Sequence, residues 1–356
     1  MTIQTDISEQ LVGQVREAME SRTPLNIRGG GSKAFYGRSP TGAPLDVTDH
    51  RGIVNYEPTE LVLTARAGTP LAELEAALAE QGQMLPFEPP HFGGEATLGG
   101  AIATGLSGPR RPWSGSARDL VLGLRLINGQ GEHMRFGGEV MKNVAGYDVS
   151  RVVTGALGTL GIITEVSLKV LPLPEAESTT MMEFGTLAAA DQVETWYRQG
   201  HPVSAAAHDG ERLFLRLSGA RSAVEAGIRT IGGTAVDDGA AWWSALRDHT
   251  HAFFDGMAPP LWRISLPPGA PPLDIEGNVF HDWNGQLRWL RTEASADGIR
   301  DRAAALGGHA TLFRGGDRQS AVFHPLPAPV MQLHRRLKAA FDATGIFNPG
   351  RLYADI

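Results

Sequence analysis

Three consecutive glycines, Gly29 to Gly31, follow a short apolar run and stand between Arg28 and Lys33. Glycine loses more conformational freedom on folding than any other residue, so such a run must serve a close backbone approach or unusual dihedral angles. Bare amides flanked by two cations are typical of a loop that holds an anion. The pattern therefore predicts a short strand that ends in an anion-binding turn.

Glycines recur in further clusters, at positions 93–94, 99–100, 105, 108, 155, 158 and 161. Thr97 can cap a short helix of small residues that contains the cluster at 99–100. Several such loops suit a long cofactor whose diphosphate lies between two ring systems, because main-chain donors can then approach the phosphates. The first cluster also matches the dinucleotide fingerprint GxGxxA. However, AFYGRSPTGAP follows where that motif requires a helix, so a Rossmann turn is disfavoured.

The composition excludes several classes of protein. The chain has 356 residues, a net charge of −7 and no cysteine. The negative charge provides no global field for nucleic acid, and the lack of cysteine excludes disulfides, thiol nucleophiles and iron–sulfur ligation by this chain. The N-terminus lacks the pattern of a signal peptide, and no run of about 18 apolar residues occurs. We expect a cytoplasmic protein that reaches a membrane, such as the inner membrane, only through partners.

A Pro-rich break, LPLPEAE at 171–177, divides the chain. Helices and short strands precede it, and strands follow it together with helices near 186–199, 220–231 and 292–306. A final amphipathic helix is predicted over 326–344. We predict an α+β fold with domains at 1–174 and 175–340 and a C-terminal segment at 341–356.

Several stretches carry a family resemblance. In order, RGGGSK (28–33), ATLGGAIATGLSGPRRPWSGSARD (96–119), KNVAGYDVSRV (142–152) and GALGTLGIITEVSLKVLP (155–172) resemble the FAD-binding domain of the vanillyl-alcohol oxidase / p-cresol methylhydroxylase superfamily. DWNGQLRWL, GGHATLFR and LKAAFDATGIFNPGRLY further resemble the FAD-binding E subunit of bacterial glycolate oxidase (glycolate dehydrogenase). The resemblance implies a two-subdomain FAD-binding domain of the p-cresol methylhydroxylase type, a smaller α+β substrate or cap domain, and a C-terminal segment that returns to the flavin domain.

The resemblance also implies contacts with FAD. The first glycine cluster would cradle the pyrophosphate and the second would approach it from the other side. Residues at 105–116 would line the flavin pocket, those at 158–163 would lie near the adenosine or pyrophosphate, and two C-terminal residues would return to the flavin mouth. The FAD-binding residues implied in this way are Arg28, Gly29, Gly30, Gly31, Ser32, Lys33, Thr97, Gly99, Gly100, Thr104, Gly105, Ser107, Gly108, Gly115, Ser116, Lys142, Asp148, Gly158, Gly161, Ile162, Ile163, Asn348 and Arg351.

Two expectations concern the first loop. Many relatives tether the flavin through a histidine there, whereas this chain has Ser32 at that place and no cysteine for a second tether. We therefore expect non-covalent FAD. We also expect Gly30→Val to abolish flavin binding because the added side chain would occupy the space of the diphosphate.

In the family, this type of subunit works with a second flavoprotein, the D subunit, and an iron–sulfur subunit, the F subunit. The resemblance thus implies an FAD-dependent oxidoreductase acting on CH–OH groups. It would belong to a complex that oxidises glycolate, a small 2-hydroxy acid, to glyoxylate and passes electrons to the iron–sulfur subunit. Two alternatives stay open: a stand-alone FAD-dependent dehydrogenase or oxidase of a 2-hydroxy acid or sugar alcohol, and a flavin-fold scaffold without a redox role.

The sequence leaves the catalytic residues open. A 2-hydroxy acid needs a cation for its carboxylate, best a bidentate arginine, and a base for its hydroxyl proton. Arg288 and Arg314 on predicted strands, together with His309, are the candidates. Relatives that oxidise D-2-hydroxy acids carry a His-rich metal site whose pattern is missing here, so we expect no metal.

Overall fold

The structure is a computed structural model that describes residues 4–138 and 148–356. The helices are α1 (Ser8–Ser21), α2 (Leu71–Glu80), α3 (Leu98–Thr104), α4 (Arg111–Ser114), α5 (Ala117–Leu120), α6 (Val149–Val153), α7 (Thr186–Arg198), α8 (Arg221–Ile231), α9 (Gly239–Asp248), α10 (Ala296–Ala305) and α11 (Ala328–Phe341). The strands are β1 (Leu25–Arg28), β2 (Ala43–Asp46), β3 (Ile53–Glu57), β4 (Val62–Arg66), β5 (Gln83–Met84), β6 (Val121–Ile127), β7 (His133–Gly137), β8 (Ile162–Lys169), β9 (Leu171–Pro172), β10 (Ala176–Glu183), β11 (Val203–His208), β12 (Arg212–Gly219), β13 (Thr234–Ala235), β14 (Leu261–Ser265), β15 (Asn278–Asp282), β16 (Leu287–Arg291) and β17 (His309–Arg314). This mixture confirms the predicted α+β class. No helix in the described ranges is both long and apolar enough to cross a bilayer.

Contacts divide the chain into two units. Unit 1 comprises the described parts of 1–106, 116–173 and 318–356, and unit 2 comprises 107–115 and 174–317. Unit 1 therefore includes α11, which the predicted boundaries assign to the second domain. The predicted boundaries describe domains that fold independently. The division by contacts does not test independent folding, so the boundaries stay a prediction.

Unit 1 is built around an antiparallel sheet with the strand order β3-β4-β8-β6-β7. β4 and β8 are almost entirely buried, because the apolar stripe of α2 and the small residues of α3 pack against the sheet. The α2 stripe consists of Leu71, Leu74 and Leu78, whose spacing of three and four residues places them on one face of the helix.

A second, smaller core in unit 1 holds the chain termini. The buried face of α1, which includes Leu11 and Val15, packs on Leu25 of β1 and Leu45 of β2. The C-terminal tail joins the same core through Phe347, which is fully buried. This packing fixes the tail beside the strand that leads into the glycine loop.

Unit 2 contains an antiparallel sheet with the strand order β13-β10-β12-β11-β15-β16-β14-β17. α7 and α8 bury their apolar residues on β11 and β12. The segment 107–115 belongs to this unit through Arg110, which pairs with Glu177 at 2.7 Å, and through the carbonyl of Gly108, which accepts the indole N–H of Trp283 at 3.0 Å.

Candidate cofactor site

The glycine loop begins where β1 ends. β1 pairs in parallel with β2, and Arg28 lies opposite Asp46 in this register. Gly31 has a φ of +74°, in the left-handed region that favours glycine, and a Cβ added there would meet no atom within 4 Å. Gly31 therefore faces open space.

The two preceding glycines are needed for a close approach within the chain. A Cβ on Gly30 would lie 1.4 Å from the carbonyl oxygen of Glu95, and a Cβ on Gly29 would lie 2.4 Å from Oγ1 of Thr97. The reason given above for Gly30→Val is therefore wrong. The added side chain would displace the backbone at Glu95, so a loss of flavin in that variant would report a misfolded loop.

A cavity of about 410 Å³ opens on this loop, and all its lining residues belong to unit 1. The structure brings together around it the predicted residues Arg28, Gly29, Gly30, Gly31, Ser32, Lys33, Thr97, Gly100, Thr104, Asn348 and Arg351. Lining residues that the sequence analysis did not single out are Asn26, Ile27, Ala34, Ser39, Pro40, Ala103 and Leu157. Its size falls in the range of small-molecule sites.

The walls of the cavity are cationic. Arg28, Lys33 and Arg351 line it, and its described lining contains neither Asp nor Glu. Nζ of the buried Lys33 donates to Oγ of Ser32 at 3.2 Å. Burial, and then the charges of Arg318 and Arg28, lower the pKa of Arg351 to about 10, so this guanidinium stays protonated at neutral pH. An anion in the cavity would offset the mutual repulsion of these cations.

The second glycine cluster forms the start of α3, as predicted. Thr97 is the N-cap, and its Oγ1 accepts the backbone N–H of Gly100 at 3.3 Å. Gly100 lines the cavity, whereas Gly99 faces the sheet, where its N–H donates to the carbonyl of Ala67 at 2.7 Å. A Cβ on Gly99 would lie 2.7 Å from Cβ of Ala67. Gly99 thus allows α3 to pack on β4, which brings Gly100 to the cavity.

Asn348 ties three segments together behind the cavity. Its Oδ1 accepts the N–H of Ile27 at 2.7 Å, and its Nδ2 donates to the carbonyl of Leu157 at 2.7 Å. Nη2 of Arg351 donates to the carbonyls of Ala34 at 3.2 Å and Tyr36 at 2.8 Å. Both side chains therefore fix the shape of the walls that they line.

A buried ion pair anchors the tail. Nζ of Lys338 donates to Oδ2 of Asp342 at 2.7 Å and to the carbonyls of Thr159 and Phe347 at 2.8 Å each. Asp342 also accepts the N–H of Phe347 at 2.8 Å. All three donors of the ammonium thus have acceptors. The sequence analysis did not predict this buried anchor, because a Lys and an Asp four residues apart do not by themselves indicate burial.

The predicted residues at 158–163 are not among the cavity-lining residues. A Cβ on Gly158, which has a φ of +72°, would lie 2.7 Å from Nδ2 of Asn348. Ile162 and Ile163 are buried in β8 and pack into the two cores of unit 1. Gly161 approaches the carbonyl of Ile127 closely. Of these residues only Gly158 lies against Asn348, behind the wall at Leu157, and the predicted contacts of all four with FAD stay predictions.

Other predicted residues cap helices. Gly105 ends α3 with a φ of +62°, Ser116 begins α5 in a capping box with Asp119, and Asp148 caps α6 through the N–H of Arg151. Ser107, Gly108 and Gly115 belong to unit 2. Lys142 lies outside the described residues.

Of the three catalytic candidates, Arg288 is buried and donates to the carbonyls of Ala270, Pro271 and Gly285. Holding a substrate carboxylate would require these bonds to break. Arg314 is half-buried at the end of β17, where burial and then Arg291 lower its pKa. His309 is exposed at the start of that strand. The catalytic roles stay predictions. In the described residues no cluster of three or more His, Cys, Asp or Glu could hold a metal.

Comparison with known proteins assigns the chain to a family. Residues 2–137 match the family described as FAD binding domain. The chain is 50% identical to glycolate oxidase subunit GlcE of Escherichia coli, over the full length of both. The chain belongs to the family of glycolate oxidase subunit GlcE. It is thus a flavoprotein subunit of an FAD-dependent oxidoreductase of the glycolate oxidase type, as the resemblance implied.

A second relative and a solved structure extend the comparison to the sequence of a related subunit and to the fold. Glycolate oxidase subunit GlcD of Bacillus subtilis is 26% identical over 94% of this chain and 85% of its own length. The solved structure of p-cresol methylhydroxylase shares the fold, with a TM-score of 0.71 at 15% identity over 98% of this chain and 88% of that one. The predicted p-cresol methylhydroxylase type of FAD-binding fold is confirmed.

The cavity fits the phosphates of FAD. Three cationic residues line it without a carboxylate in its described lining, and Gly31 leaves open the space that a Cβ would fill. Backbone amides and cations of this kind are the usual partners of a diphosphate. The fit concerns the charge and the space of the site, and the individual contacts stay predictions.

Proposed function

We propose that this chain holds FAD non-covalently, with the diphosphate between the glycine loop and the start of α3. The observation that carries the proposal is the cationic cavity onto which Gly31 opens. Arg28, Lys33 and Arg351 would neutralise the two phosphate charges. Ser32 stands at the place of the tethering histidine of relatives, so the imidazole nitrogen that forms the tether is absent, which supports non-covalent binding.

The proposed activity is part of the oxidation of glycolate to glyoxylate by a multi-subunit glycolate oxidase. Bound FAD would supply a hydride acceptor, which no side chain can be. The electrons would pass to a partner iron–sulfur subunit, because this chain has no cysteine to ligate a cluster. A GlcD-type flavoprotein is the proposed second partner, and contact with a membrane would come through the complex.

A matched pair of glycine variants tests the cofactor site. Gly100 lies in α3, and a Cβ there would meet only Oγ1 of Thr97, at 3.3 Å, so a valine side chain would extend into the cavity. Gly13 is an exposed glycine of α1 with no atom within 4 Å of an added Cβ. We expect Gly100→Val to weaken FAD binding at least about ten-fold, or about 1.4 kcal/mol, and Gly13→Val to leave it unchanged. Titration of the apo-chain with FAD, followed by flavin absorbance and fluorescence, measures both.

The outcomes separate the alternatives. Equal FAD affinity in both variants would refute the site, and yellow protein after acid precipitation would refute non-covalent binding. Turnover of glycolate by the purified chain with a dye acceptor would favour a stand-alone enzyme. A chain that binds no FAD while the complex stays active would favour a scaffold.

A further inference from the structure

Helix α11 attaches to unit 1 through a polar anchor. Only Lys338 is buried among its 14 residues, and Met331, His334 and Phe341 are half-buried. The ring of Phe341 lies 6.2 Å from that of Phe136, measured between centres. The inner side of α11 therefore consists of one buried ammonium with a few partly covered side chains.

The chain only partly covers an apolar stripe of α11. Val330, Leu333 and Leu337 are 38%, 56% and 36% exposed, and Ala340 is exposed as well. Their spacing of i, i+3, i+7 and i+10 places them on one stripe, which we name the outer seam. A surface helix ordinarily turns such a stripe towards the core. An exposed apolar stripe of this kind indicates a protein-binding surface.

The charge beside the outer seam has a single sign. α11 contains no Asp or Glu, although the whole chain has a net charge of −7. Arg335 is held within the chain by Asp355, with Nη2 2.6 Å from Oδ2. Arg336 is exposed next to Leu337, and no ion pair of Arg336 occurs within the described residues. A complementary surface would thus be apolar with carboxylates at its edge.

We propose that the outer seam docks another subunit of the glycolate oxidase complex, through an apolar helix or groove edged by carboxylates. The proposal depends on the proposed function only because its partner is a subunit of that complex. A second copy of this chain suits the seam less well. In a two-fold antiparallel pair Arg336 would face Arg336 of the other copy, and neither helix offers a carboxylate. An anionic membrane would favour a wider apolar face with aromatic residues, which the seam lacks.

The test uses the complex with a matched control on the same helix. Leu333→Glu/Leu337→Glu places two carboxylates in the outer seam. Gln332→Glu/Ala339→Glu places the same charge on two exposed positions elsewhere on α11. Each tagged variant is co-expressed with the GlcD-type and iron–sulfur subunits. Affinity purification then measures the partner-to-bait ratio, and absorbance at 450 nm measures FAD per isolated chain.

We expect the seam variant to retain about ten-fold less of at least one co-expressed subunit, since buried apolar anchors carry most of an interface's affinity. The control variant should retain the subunits, and both variants should keep the melting temperature and FAD content of the wild type. Equal retention of subunits by the two variants would overturn the proposal. So would a wild-type dimer that the seam variant abolishes, or wild-type binding to phosphatidylglycerol vesicles that the seam variant loses. A wild-type chain that captures its subunits without binding FAD would refute the proposed function and leave the docking surface intact.

Discussion

Lys338→Met offers a direct test of how the cavity is held together. The ammonium of Lys338 is the shared donor for Asp342, for the loop carbonyl of Thr159 and for the tail carbonyl of Phe347. Asp342 is 1% exposed, so the substitution leaves a buried carboxylate without its cation. Methionine retains the apolar stem, so the lost stability comes from the polar contacts.

The expected cost follows from these contacts. Removing one partner of a buried ion pair costs about 3–5 kcal/mol. Asp342 keeps the N–H donors of Ile346 and Phe347, at 3.1 and 2.8 Å, so its charge stays partly solvated by the backbone. We therefore expect the lower end, about 3 kcal/mol. At ~2–4 °C per kcal/mol for a unit of this size, the melting temperature should fall by roughly 6–12 °C.

Calorimetry with and without FAD measures this change, because a ligand of the native state raises the transition of the unit that binds it. FAD affinity should fall as well, since Asn348 and Arg351 lie on the tail that Lys338 anchors. Lys338→Met/Asp342→Asn removes the stranded charge, and the single amide oxygen can still accept one of the two N–H groups, which Oδ1 and Oδ2 of Asp342 accept separately. This double variant should regain about 1 kcal/mol or more. A single variant that melts within about 1 °C of the wild type would refute the reasoning.

Two further predictions concern sites away from the cavity. Gly13→Ala should stabilise unit 1 by about 0.5–1 kcal/mol in urea unfolding, because the position is an exposed helix interior with free space for a Cβ; a loss of stability would contradict this. Burial, and then Arg288 and His208, lower the pKa of His281 from 6.5 to about 3. The unfolded chain binds the proton first, so stability should be lost as pH falls from about 6.5 towards 3. His281→Gln should reduce that loss between pH 7 and pH 4.5, and an unchanged pH profile would count against it.

Local signals made much of unit 1 predictable. Thr97 was identified as the cap of a helix of small residues, and the structure has it as the N-cap of α3. The stripe of α2 and the strand that ends at the glycine loop depend on equally local patterns. Each of these features requires only residues within a few positions of one another.

Unit 2 was harder because its strands do not alternate simply. β10 has the sequence AESTTMME, and the sequence analysis placed part of it in a Pro-rich break. Its buried Thr179 and Thr180 are satisfied by partners far along the chain: Oγ1 of Thr179 accepts the indole N–H of Trp243 at 2.9 Å, and Oγ1 of Thr180 donates to the carbonyl of Gly232 at 2.8 Å. Helix α9, which carries Trp243, was also missed. Polar residues that are buried through distant partners carry no periodic signal in the sequence.

The glycine triplet shows where local pattern and tertiary structure diverge. Gly29 and Gly30 are needed because Oγ1 of Thr97 and the carbonyl of Glu95 approach them closely, whereas Gly31 opens onto the cavity. The cation from the tail is fixed by the loop itself, because Arg351 donates to the carbonyl of Tyr36 at 2.8 Å. Loop and tail therefore line one cavity, although 318 residues separate Lys33 from Arg351. A change that loosens the tail should for this reason reduce both the positive charge of the cavity and the order of the glycine loop.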